Sequence, residues 1–573
     1  MRRFIYLLII TFYLYSQQTE FEKSGMTATA NPYTVMDFYN QLANQYDFVK
    51  VVEAGRGDSN RPIYTVIVSK KRIFTPDKLD DELVFLIQNG IHSGESGGID
   101  ASQMIVRDYA KKMASSAAYD NLVLVIIPVY NVGGHIKFSP YNRVNQNGPE
   151  QMGFRGNGRN YDLNRDYMKM DTKNRQVFGE IFHNWQPHLF LDNHCTDGAD
   201  YQDAMTYMMN NQELDHQAVR NYISQDFLPF MEKDTKRQNY PITTYVDLKT
   251  RNKIEDGIDY FRLSPRFSTG FTALFNKISV LVETHMLKPY KDRVLANYAF
   301  MVSMIEKAIT DNEKIQAIIE EANRDAIKAK EYTVRWQKDY NRFDEIDFAG
   351  FAYEMKFYDY FNAPLITYDR SKPVTYKIKH YNHFNPEIVV DVPKAYIIPQ
   401  EWHTIIDKLK QNHVEMEELK SDKEYKVEMY RFDNAKWANR PYEGHFMLND
   451  FDLKTETVRR RFRAGDYMIP MNQVANSYIM EALEPKAVDS FAAWGFFSTL
   501  FQQKEYFDPY IFVNKIDAIF KADPQLKKDF EEKAKSDPDF AKNPYLRFNY
   551  IYQRSPYYEK HTYLLYPIAR LMN

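Results

Sequence analysis

The run Leu83-Val84-Phe85-Leu86-Ile87 is apolar without a break and leads into Asn89-Gly90-Ile91-His92-Ser93-Gly94-Glu95-Ser96-Gly97. A strand with no polar alternation must be covered on both faces, so helices are expected on either side of its sheet. Gly98 to Met113, just after it, has helical spacing. Strand, glycine-rich turn and helix together make the unit of an α/β domain. The unit puts His92 and Glu95 at the mouth of a strand, as half of a candidate metal site.

The same alternation recurs. Asn121 to Tyr130, His188 to Asp192 and Ser279 to Glu283 read as buried strands, and Thr172 to Trp185 and Pro289 to Ile309 as helices. Val49 to Glu53 and Ile63 to Ser69 flank turn-forming residues and predict a hairpin. The expected fold is α/β: a mixed, mostly parallel sheet flanked by helices, over residues 19–330. A chain of 573 residues exceeds one ordinary core. Strand-like runs dominate 331–464, which predicts a strand-rich α+β accessory domain. Residues 465–573 are aromatic-rich and partly helical, with Asp523 to Tyr545 read as a solvated surface.

Acidic and basic residues nearly balance, 77 against 74, which excludes the basic character of a nucleic-acid binder. The start, Met1-Arg2-Arg3 then apolar Phe4 to Tyr15, is shorter than the about 20 residues that span a bilayer. With polar Ser16-Gln17-Gln18 behind it, residues 1–18 read as a signal peptide. No later run is apolar and long enough to span, so an exported protein, periplasmic or extracellular, is expected. The single cysteine, Cys195, permits no internal disulfide, so a large core must carry stability.

A catalytic zinc commonly takes three protein ligands and leaves one position open. His92 and Glu95 lie too close together for a helix pair, so the third ligand must come from a neighbouring strand end. His194, after Leu189-Phe190-Leu191-Asp192-Asn193, is the best placed. His135 is a weaker alternative, and His183, His188 and His285 lack matching positions. Glu283 ends another apolar strand, where a carboxylate is costly to bury unless used, and it can serve as a general base. In Tyr161-Asp162-Leu163-Asn164-Arg165, the arginine fork suits a carboxylate, Asn164 adds a donor, and Asp162 can hold the outer nitrogen of a zinc-bound histidine. Arg155, in a glycine-rich loop, is placed to stabilise an oxyanion, with Arg143 as its rival.

In this order, Ile91-His92-Ser93-Gly94-Glu95, Ile127-Pro128 to Asn131 with Gly133, Asp162-Leu163-Asn164-Arg165, Leu191-Asp192-Asn193-His194 and Val282-Glu283 resemble the zinc carboxypeptidase family of the carboxypeptidase A type. The resemblance covers residues 19 to about 310. It implies one zinc per chain on His92, Glu95 and His194. It implies Glu283 as general base and acid, Arg155 at the oxyanion, and Asp162 supporting the first histidine. Asn164 and Arg165 would grip the terminal carboxylate of a peptide with a free C-terminus. The family also carries a mobile tyrosine before the base, and Tyr260 is the nearest tyrosine here. The expected activity is therefore zinc-dependent removal of C-terminal residues, on protein peptides or on cell-wall stem peptides. Two alternatives stay open: a non-catalytic exported glycan or peptide binder, and a thiol hydrolase using Cys195. Specificity, oligomeric state and the role of 331–573 are not legible in the sequence.

Overall fold

A computed structural model describes residues 17–196, 198–209 and 215–572. The expected signal peptide therefore falls almost wholly outside the described residues. Among those described, no helix is long and apolar enough to cross a membrane.

The central sheet is built from β1 (Val49–Arg56), β2 (Pro62–Ser69), β3 (Leu83–Asn89), β4 (Leu122–Ile127), β5 (Leu189–Thr196), β6 (Met205–Met209) and β7 (Ile242–Thr244). The chain then leaves through β8 (Leu248–Thr250) and β9 (Lys253–Asp259), and returns to the middle as β10 (Ile278–His285). The strand order is β1-β2-β4-β3-β5-β10-β6-β7. The middle four, β4, β3, β5 and β10, run parallel, and β1, β2 and β6 add antiparallel pairings at the flanks. Every residue of β3 and β4 is buried, as the unbroken apolar runs require. Alternate side chains serve different cores: Phe85 and Ile87 join one, Val84 and Leu86 the other. Each large side chain so buried contributes about 1.5–3 kcal/mol.

One face is covered by α1 (Pro32–Gln45), α2 (Gly97–Met113), and later helices Tyr290–Thr310 and Asn312–Ala326. The other face meets α3 (Lys173–Trp185), which begins where the Thr172 side chain accepts a bond from Arg175 N. That second core continues unbroken into Tyr396, Ile398, Leu409, Tyr478 and Phe491. The region after residue 330 is thus packed onto the sheet. It adds β11 (Glu331–Lys338), β12 (Asp344–Tyr358), β13 (Ala363–Tyr381) and β14 (Phe384–Asp391), with β11 paired to β14. The ribbon β12–β13 joins β9, so one sheet takes strands from both sides of residue 330. A further sheet combines β15 (Ala395–Ile398), β16 (Glu417–Glu418), β17 (Lys423–Trp437), β18 (Leu448–Phe462), β19 (Tyr467–Pro470) and β20 (Ala569–Leu571) in the order β16-β19-β15-β20-β17-β18.

In the further sheet, residues 417–418 form only the two-residue β16. The stretch Asp523 to Tyr545 is mostly exposed, as expected of a solvated surface, and is largely helical. Helices open at Pro524, Pro538 and Pro544, each behind a capping Asp523, Asp537 or Asn543. The Asp-Pro and Asn-Pro pairs were legible helix starts, because proline suits the first helical position and the residue before it caps the turn.

Candidate metal centre

The parallel strands β3, β5 and β10 deliver their carboxyl ends to one edge of the sheet, the edge where open sheets of this kind place ligands. His92 and Glu95 follow β3, His194 lies near the end of β5, and Glu283 pairs directly with His194 in register. The turn after β3 is tight. A Cβ on Gly94 would lie 2.4 Å from Arg143 Cδ and 2.8 Å from the Gly153 carbonyl oxygen. A Cβ on Gly98 would lie 2.4 Å from Asn193 Cβ, so its absence lets α2 start against β5.

The inward nitrogens converge. His194 Nδ1 lies 3.2 Å from His92 Nδ1 and 3.1 Å from Glu95 Oε2. His92 Nδ1 is 3.3 Å from Glu95 Oε1. One donor atom from each of the three buried residues falls within 4.8 Å of the others. The outer nitrogens face carboxylates: His92 Nε2 is 2.9 Å from Asp162 Oδ1, and His194 Nε2 is 3.0 Å from Asp192 Oδ2. Carboxylates there hold the ring protons on Nε2, which turns two Nδ1 lone pairs towards each other and towards a carboxylate. Such a cluster is stable around a cation, and two imidazoles with one carboxylate are a fitting donor set for a single zinc ion. Among the described residues, the other grouping of metal-binding side chains, His216, Glu321 and Asp325, is at the surface.

Burial alone would raise the Glu95 carboxyl, but Arg143 and both histidines outweigh it and hold it well below the usual carboxylate range. Asp162 is likewise held low against burial, by His92, Arg155 and Arg165. The two candidate oxyanion arginines stand differently. Arg143 is nearly buried, and its Nη2 is 2.8 Å from Glu95 Oε1. Arg155 binds Asp162 Oδ2 through Nη2 at 2.8 Å, reaches within 3.8 Å of Glu95, and leaves 44% of its side chain exposed. Arg143 is occupied in steadying a ligand carboxylate, whereas Arg155 sits at the open rim.

Glu283 is partly exposed, yet its Oε2 is closed off from solvent and lacks a hydrogen-bond partner. Desolvation pushes its carboxyl up to about 8, with Glu95 adding to the rise and His194, Arg155 and Arg143 opposing it. Across the cleft, Asp162 caps the short turn Leu163–Arg165 by accepting from Asn164 N. Asn164 Oδ1 accepts from Ser268 N at 2.9 Å. Arg165 donates through Nη1 to its neighbour's carbonyl, Asn164 O, at 2.8 Å, and its guanidinium carbon lies 4.4 Å from the Phe267 ring centroid.

Tyr260 is placed elsewhere. It follows β9, its ring packs near His380 and Phe384, and its hydroxyl donates to Met209 O. The pairing of β9 with the β12–β13 ribbon carries this tyrosine into a cleft lined by Asp203, Glu232, Asp344 and His380, so sequence proximity to the base misplaced it. The other histidines are tied locally: His135 to Ser93 and Ala30 carbonyls, His183 to Asn412, His188 to Val84 N, His285 to Ala199 O. Burial raises the Cys195 thiol, and its neighbour His194 is turned to the metal cluster, so no thiolate and base are paired there.

Sequence reading missed three residues. Asp192 had a signal, since residues two apart on a strand share a face and Asp192 must stand beside His194. Tyr442 and Glu443 had none. Tyr442 Oη accepts from Arg165 Nε at 3.0 Å, and Glu443 Oε2 accepts from Asp162 N at 3.0 Å, from a segment far along the chain.

Residues 35–254 match the family model described as zinc carboxypeptidase. Carboxypeptidase 2 of Trichophyton rubrum is 21% identical over 495 residues, covering 82% of this chain and 85% of the relative. That of Trichophyton equinum is 21% identical over 497 residues, with the same two coverages of 82% and 85%. Matches of this length extend well past residue 330. Of solved structures, a metallo-carboxypeptidase from Burkholderia cenocepacia aligns with a TM-score of 0.37 and 15% identity, over 49% of this chain and 69% of that one. Carboxypeptidase A from Helicoverpa armigera gives a TM-score of 0.37 and 14% identity, over 49% of this chain and 74% of that one.

Proposed function

We propose that this chain, whose residues 35–254 match the zinc carboxypeptidase family model, is an exported metallocarboxypeptidase that hydrolyses the peptide bond next to a free C-terminal carboxylate. The observation that carries the reading is the buried convergence of His92, Glu95 and His194 within 4.8 Å, with Glu283 alongside. The apolar stretch at the start supports export, and residues 1–18, 19–330, 331–464 and 465–573 are assigned as leader, catalytic domain, accessory domain and C-terminal region.

His92, Glu95 and His194 would hold the zinc, with Asp162 and Asp192 fixing the rings. Zinc bound there would polarise a carbonyl and lower the pKa of water from about 15.7 towards 7. Glu283 takes the proton released from the attacking water. Its raised proton affinity suits it to that step and to returning the proton to the departing amine. Arg155, at the open rim, donates to the carbonyl oxygen as negative charge grows on it. Asn164 and Arg165 hold the terminal carboxylate, which fixes the scissile bond one residue away.

The test compares one peptide as free acid and as C-terminal amide, with products weighed by mass spectrometry. Release of the last residue from the acid alone is expected. Equal cleavage of the amide overturns the assignment of Arg165 and Asn164.

A further inference from the structure

Residues Tyr442–His445 form a two-residue hairpin turn closed by Tyr442 N to His445 O at 2.8 Å and His445 N to Tyr442 O at 3.0 Å. The turn lies in the connection between β17 and β18, in the accessory region, yet all its residues meet the Tyr161–Asp171 segment. Tyr442 Oη accepts from Arg165 Nε at 3.0 Å. Glu443 Oε2 accepts from Asp162 N at 3.0 Å. A Cβ on Gly444 would lie 2.8 Å from Tyr161 Oη. His445 Nε2 lies 2.6 Å from Asp171 Oδ2.

The backbone shows that this contact is held against a cost. Such turns need positive φ at both central residues, a demand met by Asn or Asp followed by Gly. Here φ is 47° at Glu443 and 83° at Gly444. A glutamate in that conformation is uncommon, and strain of this kind persists where surroundings over-determine it. What over-determines it is the bond to Asp162 N, on the residue whose carboxylate steadies His92. Tyr442 is fixed from behind as well. Its ring stacks on Trp494 at 6.0 Å and 14° between planes, and Arg266, paired with Asp489 at 2.7 Å, lies over both rings.

We infer that the Tyr442–His445 turn is the outer wall of the terminal-carboxylate pocket, with Tyr442 as the positioning residue that sets the plane of Arg165. The inference rests on the reading of Arg165 as the carboxylate grip. Arg165 is held at Nε by Tyr442, at Nη1 by Asn164 O, and on its face by Phe267. A fork whose plane is fixed beforehand loses less orientational freedom when a carboxylate arrives. The accessory region would therefore be part of substrate binding, through a residue that touches neither the metal nor the scissile bond.

The test is steady-state kinetics of the full chain on a free-acid peptide, with Tyr442→Phe, Glu443→Ala and Arg165→Ala measured side by side. Tyr442→Phe keeps the ring on Trp494 and removes the acceptor. One hydrogen bond to a charged group predicts a KM about tenfold higher with kcat retained. Glu443→Ala, on a half-exposed turn, is expected to raise KM by a smaller factor, about threefold, and it tests the wall if the first variant does not fold. A wild-type KM in the turn variants, with a raised KM in Arg165→Ala, overturns the role of the turn and leaves the carboxylate grip standing. A wild-type KM in Arg165→Ala overturns both.

Discussion

Glu283 and Glu481 are both pushed up to about 8 by desolvation, yet they sit in regions with different business. Glu283 ends β10 at the sheet edge, where His194, Arg155, Arg143 and Glu95 act on it and its Oε2 has no partner. Glu481 lies in the helix Asn476–Leu483, where the accessory region packs onto the sheet, and accepts a bond from Tyr332 Oη at 3.2 Å. Arg262 and Asp489 are its charged neighbours. Equal proton affinity thus marks a shared cause, burial, and does not mark a shared role. What separates the two is the company: one carboxyl adjoins a converging set of metal donors, the other an aromatic hydroxyl within a core.

The comparison is broken most directly by removing each carboxyl in turn. Glu283→Gln should lower the turnover of a free-acid peptide by about 10²–10⁴-fold, the range for a positioned acid–base group, with zinc content by metal analysis unchanged. Glu481→Gln should keep wild-type turnover; a comparable loss there would erase the distinction. A smaller effect sharpens the meaning of company. Asp162→Asn should weaken zinc retention about 10–100-fold in a chelator competition, because the outer nitrogen of His92 loses its carboxylate.

The smallest expected effect concerns stability. Glu481 has a folded value above the about 4.3 of an unfolded glutamate, so the folded state holds the proton more tightly. Its contribution is fully present below about 4.3, is lost as pH rises towards about 8, and changes no further above that. Glu481→Gln should remove this slope, read as urea midpoints measured from pH 5 to pH 9. A slope unchanged in the variant would show that Glu481 is not the group responsible.

The strands and metal donors were legible because they are local statements. An unbroken apolar run announces β3, and a histidine at the end of such a run announces His194. The ribbon β12–β13 was legible only in fragments, since much of it is exposed on both sides and carries no clean alternation. Tyr260 was misjudged for a related reason: its place is set by a pairing between β9 and β13, which no local pattern encodes. The reach of Tyr442 to Arg165 belongs to the same class, a contact fixed by tertiary packing across a large separation in sequence.

The strand β20 lies between β15 and β17 in its sheet, although it comes from residues 569–571. The scaffold that presents Tyr442 is therefore closed by a strand that lies well beyond it in sequence. Contacts of such separation form late in folding, because the intervening chain must first be ordered. A chain emerging in order would assemble its metal donors well before the wall that seats Arg165. The ability to grip a peptide end would then arrive after the metal donors, once residues 569–571 have joined their sheet.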